Sequence, residues 1–128
     1  MIIVMKILII DDSGVMRRIH KNTLIENKIP EEALIEAADG QEALQLASKN
    51  DITLFLVDWN MPKLDGLEFV ERLRNTERYK TTPIIMVTSE AAKYNVIQAI
   101  TAGVTDYVVK PIQGSILWDK VSNYIKSE

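Results

Sequence analysis

Short apolar runs alternate with longer amphipathic stretches from one end of the chain to the other. The runs are Lys6–Ile10 (KILII), Ala33–Glu36 (ALIE), Leu54–Val57 (LFLV), Ile84–Val87 (IIMV) and Tyr107–Val109 (YVV). Four of them are almost continuously hydrophobic, the pattern of parallel strands covered by helices on both faces. The Ala33 run turns polar sooner and reads as a strand near the sheet edge. Between the runs, apolar residues recur at the helical period. Phe69, Val70 and Leu73 share a face after Gly66; Val96, Ile97 and Ile100 do so after Glu90, and Leu117, Val121, Tyr124 and Ile125 after Gly114. Ser13-Gly14-Val15-Met16-Arg17-Arg18 opens a first helix and Asp39-Gly40-Gln41-Glu42 a second, while Gly103 stands where a left-handed stop would end the fourth. Five strands strictly alternating with five helices predict an α/β domain with a parallel sheet and right-handed crossovers.

In open parallel sheets, ligands bind beyond the carboxyl ends of the strands. The residues that follow each run therefore carry the functional question. Asp11 and Asp12 follow the first run, and Asp58 follows the third, ahead of Trp59-Asn60-Met61-Pro62. Thr88, Ser89 and Glu90 follow the fourth, and Lys110-Pro111 the fifth. Taken singly, each has a structural explanation: an Asp-Asp or Thr-Ser-Glu helix cap, a Lys-Pro turn, a core Tyr107 with a polar tip. Together they bring three carboxylates, a hydroxyl and an ammonium to one edge. Folding does not require that meeting, and three like charges in a cleft repel unless a cation sits among them. All-oxygen donors favour a hard ion, Mg²⁺ above all, bound through carboxylates, waters and a phosphate. With two acids so neutralised, the third can attack phosphorus and form an aspartyl phosphate, while Lys110 and Thr88 stabilise the phosphoryl oxygens. The chain has neither a GxxxxGK[ST] loop nor a GxGxxG turn.

Composition narrows the alternatives. The chain has 128 residues, 15 Lys and Arg against 18 Asp and Glu, no cysteine and one histidine, His20. The length suits one domain, residues 1–128, able to bury its own core without a staple. Absence of cysteine excludes a disulfide framework, a zinc-thiolate site and a thiol nucleophile. The acidic balance is a poor match for a nucleic-acid binder. The apolar start, Met1 to Ile10, is too short to span a bilayer and lacks a basic n-region and a cleavage site, so the expectation is a cytoplasmic protein. Met1 and Met5 are both possible natural starts.

The motifs Asp11-Asp12-Ser13, Val57-Asp58-Trp59-Asn60-Met61-Pro62 with Asp65-Gly66, Met86-Val87-Thr88-Ser89-Glu90 and Asp106-Tyr107-Val108-Val109-Lys110-Pro111 resemble response-regulator receiver domains, from Lys6 to the end of the chain. Within that family they are most similar to the single-domain, CheY-like chemotaxis type. The resemblance implies a doubly wound, flavodoxin-like sheet of order 2-1-3-4-5 with five helices. It implies that Asp58 is the phosphoacceptor and that Asp11, Asp12, Asp58 and the Asn60 backbone carbonyl hold Mg²⁺. Lys110, across a cis bond to Pro111, would contact the phosphoryl group. Thr88 and Tyr107 would act as the switch, remodelling the face made by the fourth helix, fifth strand and fifth helix. Asn60 and Glu90 would tune the lifetime of the phosphoryl group. The implied partners are a histidine kinase, a flagellar motor switch protein and a phosphatase, acting on a monomer that assists its own phosphorylation and dephosphorylation without being an enzyme. Ile112, where relatives often have Phe, and Ala92, where they often have Lys, depart from the pattern on or near the output face. Two alternatives stand beside this reading. One is a phosphorelay receiver with a non-flagellar target. The other is an aspartate-nucleophile phosphatase, disfavoured because such enzymes need an acid where this chain has Asn60.

Overall fold

The computed structural model describes residues 5–125; Met1–Val4, and with them the question of the natural start, lie outside the described residues. Five strands, β1 (Ile7–Ile10), β2 (Leu34–Ala37), β3 (Leu54–Val57), β4 (Ile84–Thr88) and β5 (Asp106–Val109), alternate with five helices. These are α1 (Gly14–Glu26), α2 (Gly40–Lys49), α3 (Gly66–Arg74), α4 (Lys93–Ala102) and α5 (Gly114–Ser122). All strand pairs are parallel and their order is β2-β1-β3-β4-β5, as the resemblance implied.

Strand alternation divides the core into two layers. Leu8, Ile10, Phe55, Val57, Ile84 and Met86 face α2 and α3, where Ala43, Ala47, Phe69, Val70 and Leu73 meet them. Ile7, Ile9, Leu54, Leu56, Ile85 and Val87 face the other way, against Leu24 of α1 and Leu117 and Val121 of α5. At the centre of the first layer, Phe55 packs edge-on to Phe69 and Tyr79, at centroid distances of 5.8 and 5.2 Å. Three helices start at side-chain caps that the sequence announces: Ser13 accepts from the Met16 N–H, Asp39 from Glu42 and Asp65 from Glu68. Gly103 ends α4 at φ 119°, the left-handed stop expected of it.

Two features differ from the sequence reading. The α4 stripe of Val96, Ile97 and Ile100 is not a core face: Ile97 and Ile100 are exposed, with Tyr94, and Ala99 is the buried residue of that helix. Periodicity locates an apolar stripe but does not say which way it faces. Helix α5 stops at Ser122, because the Asn123 and Tyr124 N–H groups tighten onto Lys120 and Val121 carbonyls. Tyr124 and Ile125 therefore pack on the second layer from beyond the helix. At the other end of the sheet, β5 is an edge strand like β2, as the implied order requires, with Val109 exposed.

Candidate functional site

Parallel pairing in register builds the site. Ile10 lies beside Val57, and Val87 and Thr88 lie beside Val108 and Val109. The next residues therefore emerge together at the carboxyl edge. The Asp58 N–H continues the ladder to the Ile10 carbonyl (2.9 Å), Asp11 to Ala37 (3.1 Å) and Lys110 to Thr88 (2.8 Å). Asp11, Asp58 and Thr88 are buried, whereas Asp12 is exposed at the rim. Carboxylate oxygens of Asp11, Asp12 and Asp58 lie within 4.8 Å of one another.

Each buried acid has one oxygen tied to the backbone and the other turned to Lys110. Asp11 Oδ1 accepts from the Ser13 N–H at 2.9 Å and Asp58 Oδ1 from the Trp59 N–H at 2.7 Å. Lys110 Nζ donates to Asp11 Oδ2 at 2.8 Å and to Asp58 Oδ2 at 3.2 Å. Burial alone would lower the Lys110 pKa. The Asp11 hydrogen bond and the charges of Asp58 and Asp11 outweigh it, and the pKa is raised. The two carboxylates thus favour the charged form of Lys110. Three carboxylates against one ammonium still leave an excess of negative charge that a divalent ion would balance. The donor set is all oxygen, with no sulfur or imidazole ligand. These residues can hold a metal ion, and they suit a hard one. The Lys110–Pro111 peptide is cis.

The switch candidates lie on the far side of this cluster. The Thr88 hydroxyl accepts from the Glu90 N–H at 3.4 Å. Tyr107, half-buried, donates its hydroxyl to the Glu90 carbonyl at 2.5 Å. Burial, then the charges of Glu90 and Asp58, raises the Tyr107 pKa and keeps it a hydrogen-bond donor. Asn60 projects from the β3–α3 loop and donates through Nδ2 to Glu90 Oε2 at 3.0 Å. Its amide is therefore joined to the residue with which it was paired on sequence grounds. Ala92 is the cap residue of α4 and offers no side-chain hydrogen bond there, and Ile112 packs on the second core layer.

Two contacts were not foreseen. Asn95, in the first turn of α4, donates Nδ2 to Glu90 Oε1 at 3.2 Å. Arg17 donates Nη1 to the Asp11 carbonyl at 2.5 Å and Nε to Glu36 at 2.9 Å, bracing the Asp11 loop from α1. Only the five-residue spacing from Glu90 to Asn95 hinted at the first. Among the described residues, no helix is long and apolar enough to cross a membrane.

Comparison with known proteins agrees with this geometry. The "Chemotaxis protein CheY homolog" of Campylobacter jejuni is 44% identical over 122 residues, covering 94% of this chain and 92% of that protein. The crystallised chemotaxis response regulator CheY4 of Vibrio cholerae superposes with a TM-score of 0.87 at 32% identity, covering 96% of this chain and all of the other. The receiver domain of a Pseudomonas aeruginosa sensor histidine kinase, solved with a magnesium ion coordinated in its active-site cleft, gives 0.85 at 26% identity over 98% of this chain and 100% of its own. Residues 7–122 match the response regulator receiver domain. With the acid cluster at the strand ends and these relatives, the chain belongs to the response-regulator receiver family and is a phosphorylation-activated response regulator.

Proposed function

We propose that Asp58 accepts a phosphoryl group from a histidine kinase and that the altered domain controls the flagellar motor. The observation that carries this is the Lys110 ammonium, bonded at once to Asp11 and Asp58 inside a cluster of three carboxylates. An Asp58 oxygen attacks phosphorus in line, and the phosphorus–nitrogen bond of the donor phosphohistidine breaks with its electron pair returning to the imidazole. Lys110 moves its hydrogen bond from the carboxylate to a phosphoryl oxygen, and the Thr88 hydroxyl turns from the Glu90 N–H to another. Asp11, Asp12, Asp58 and the Asn60 carbonyl hold Mg²⁺, which when bound neutralises the carboxylates and the incoming phosphoryl charge. No general acid stands at Asn60, so the phosphoryl group persists long enough to signal, and the protein is a switch rather than a phosphatase.

Thr88 and Tyr107 both bond Glu90, so loss of the Thr88 contact frees the segment leading into α4. The surface that responds is that of α4, β5 and α5, where Tyr94, Ile97, Ile100, Val109 and Ile116 are exposed. Such an apolar surface suits a peptide partner, which we take to be a segment of the flagellar motor switch, reached by a monomeric, cytoplasmic protein. Phosphorylation selects the conformation that binds it better. The test has two arms. Acetyl phosphate with Mg²⁺ labels the wild-type chain and not Asp58→Asn; labelling of that variant refutes the phosphoacceptor assignment. A flagellar switch-protein peptide binds more tightly with beryllofluoride than without. Absence of binding in both states refutes the motor as target and leaves a phosphorelay role.

A further inference from the structure

We propose that Asn95 is a positioning residue for the phosphoryl site: it fixes the Glu90 carboxylate across the mouth and thereby slows hydrolysis of phosphorylated Asp58. The inference rests on the phosphoacceptor reading above and adds a determinant on a different element.

Glu90 is divided between two amides. Its Oε2 takes the Asn60 amide at 3.0 Å and its Oε1 the Asn95 amide at 3.2 Å. Its carbonyl takes the Tyr107 hydroxyl and its N–H meets Thr88. The Asn60–Glu90–Asn95 chain therefore bridges the loop after β3 to the first turn of α4. A carboxylate with one free oxygen samples several rotamers, whereas one gripped at both oxygens is held in one. Asn95 supplies the second grip. Among the described residues no ion pair reaches Glu90: the bonded groups on its Oε1 and Oε2 are both neutral amides, so the geometry depends on the pair of them.

The bridge starts two residues after Asp58, and on the proposal above it lies on the route by which water reaches the phosphoryl group. Hydrolysis requires a water oxygen to bond to phosphorus opposite the Asp58 oxygen. The phosphorus–oxygen bond to Asp58 then breaks, its electron pair returning to the carboxylate and the water's proton leaving with inorganic phosphate or to solvent. Asp58 itself is buried, and Asn60, whose amide is bonded to Glu90, stands two residues after it. A carboxylate pinned there narrows the approach. Released from Asn95, it swings aside and admits water. A hydrogen bond of this kind corresponds to about 3- to 10-fold in rate.

The experiment phosphorylates the full chain with acetyl phosphate and Mg²⁺, removes the donor, and follows loss of the aspartyl phosphate on phosphate-affinity gels. Wild type, Asn95→Ala, Glu90→Ala and the double variant are compared, with thermal melts to confirm folding. Asn95→Ala is expected to decay about 3- to 10-fold faster than wild type. In the Glu90→Ala background the same replacement is expected to change nothing, because the group it positions is gone. Equal acceleration in both backgrounds would show a merely structural role at the start of α4 and overturn the proposal. So would unchanged or slower decay of the single variant. If the wild-type chain takes no phosphate at all, the phosphoacceptor reading itself fails and this inference falls with it, an outcome distinct from the others.

Discussion

Replacing Gly66 with alanine would put a Cβ 2.1 Å from the Asp58 carbonyl oxygen, 2.8 Å from Trp59 Cα and 2.9 Å from the Asp58 carbonyl carbon. All three neighbours are backbone, so no side chain can swing away. Ordinary contact begins at 3.4 Å, and the two chains must part by 3.4 − 2.1 = 1.3 Å. That separation would break the 2.7 Å bond from the Gly66 N–H to the Trp59 carbonyl, which docks the start of α3 against the turn after Asp58. Overpacking of this kind costs about 3 kcal/mol, which lowers Tm by roughly 10 °C for a chain of this size. The displaced element carries Asp58, and a shift of about 1 Å in a reacting group costs on the order of 100-fold in rate. Urea unfolding and the rate of phosphorylation by acetyl phosphate measure the two effects independently. A Gly66→Ala protein with wild-type midpoint and wild-type rate would refute the argument that this close approach sets the position of Asp58.

Two further outcomes follow from groups outside the site. His20 is buried with neither ring nitrogen hydrogen-bonded, and burial holds its pKa below 6.5, with Asp11 and Asp58 opposing and Lys110 assisting. The unfolded chain therefore binds a proton that the native chain does not. The stability tied to His20 is complete above pH 6.5 and declines as pH falls below it. His20→Leu should remove that acid-side decline and add about 1–2 kcal/mol at neutral pH, from urea melts at several pH values; an unaltered pH profile would contradict this. Arg74 donates to the Gly103, Tyr79 and Thr82 carbonyls at 2.9, 2.8 and 2.7 Å and to Thr105 Oγ1 at 3.3 Å. Arg74→Met leaves those acceptors without a donor and should cost about 2–3 kcal/mol, while leaving Asp58 phosphorylation intact; a change below 0.5 kcal/mol would show that they find other donors.

Most of the architecture could be read from the residues because this fold makes period and position agree. Leu54–Val57 is hydrophobic throughout because both its faces are covered, and Asp58 follows because the strand ends there. Register then does the rest, since parallel neighbours in step present their terminal residues side by side. What escaped the reading depends on contacts between distant segments. The outward face of α4 could not be told from an inward one, because Ile97 and Ile100 have the same spacing either way. The bond from Asn95 to Glu90, and the reach of Arg74 to the connections before β4 and before β5, depend on how close the packed elements come, which no periodicity encodes.

The helix that turns its isoleucines outward has a second consequence, in the distribution of stability over the molecule. With Ala99 as its buried residue and no side-chain cap at Ala92, α4 gains little from burial, while β1 and β3 lie wholly inside. Amide protons in α4 should exchange with solvent through a local opening, well before those of the central strands, which need the whole domain to unfold. If Thr88 and Tyr107 are the switch proposed above, a small push at them would act on a weakly held helix, and weak attachment is what would let a single phosphoryl group move it.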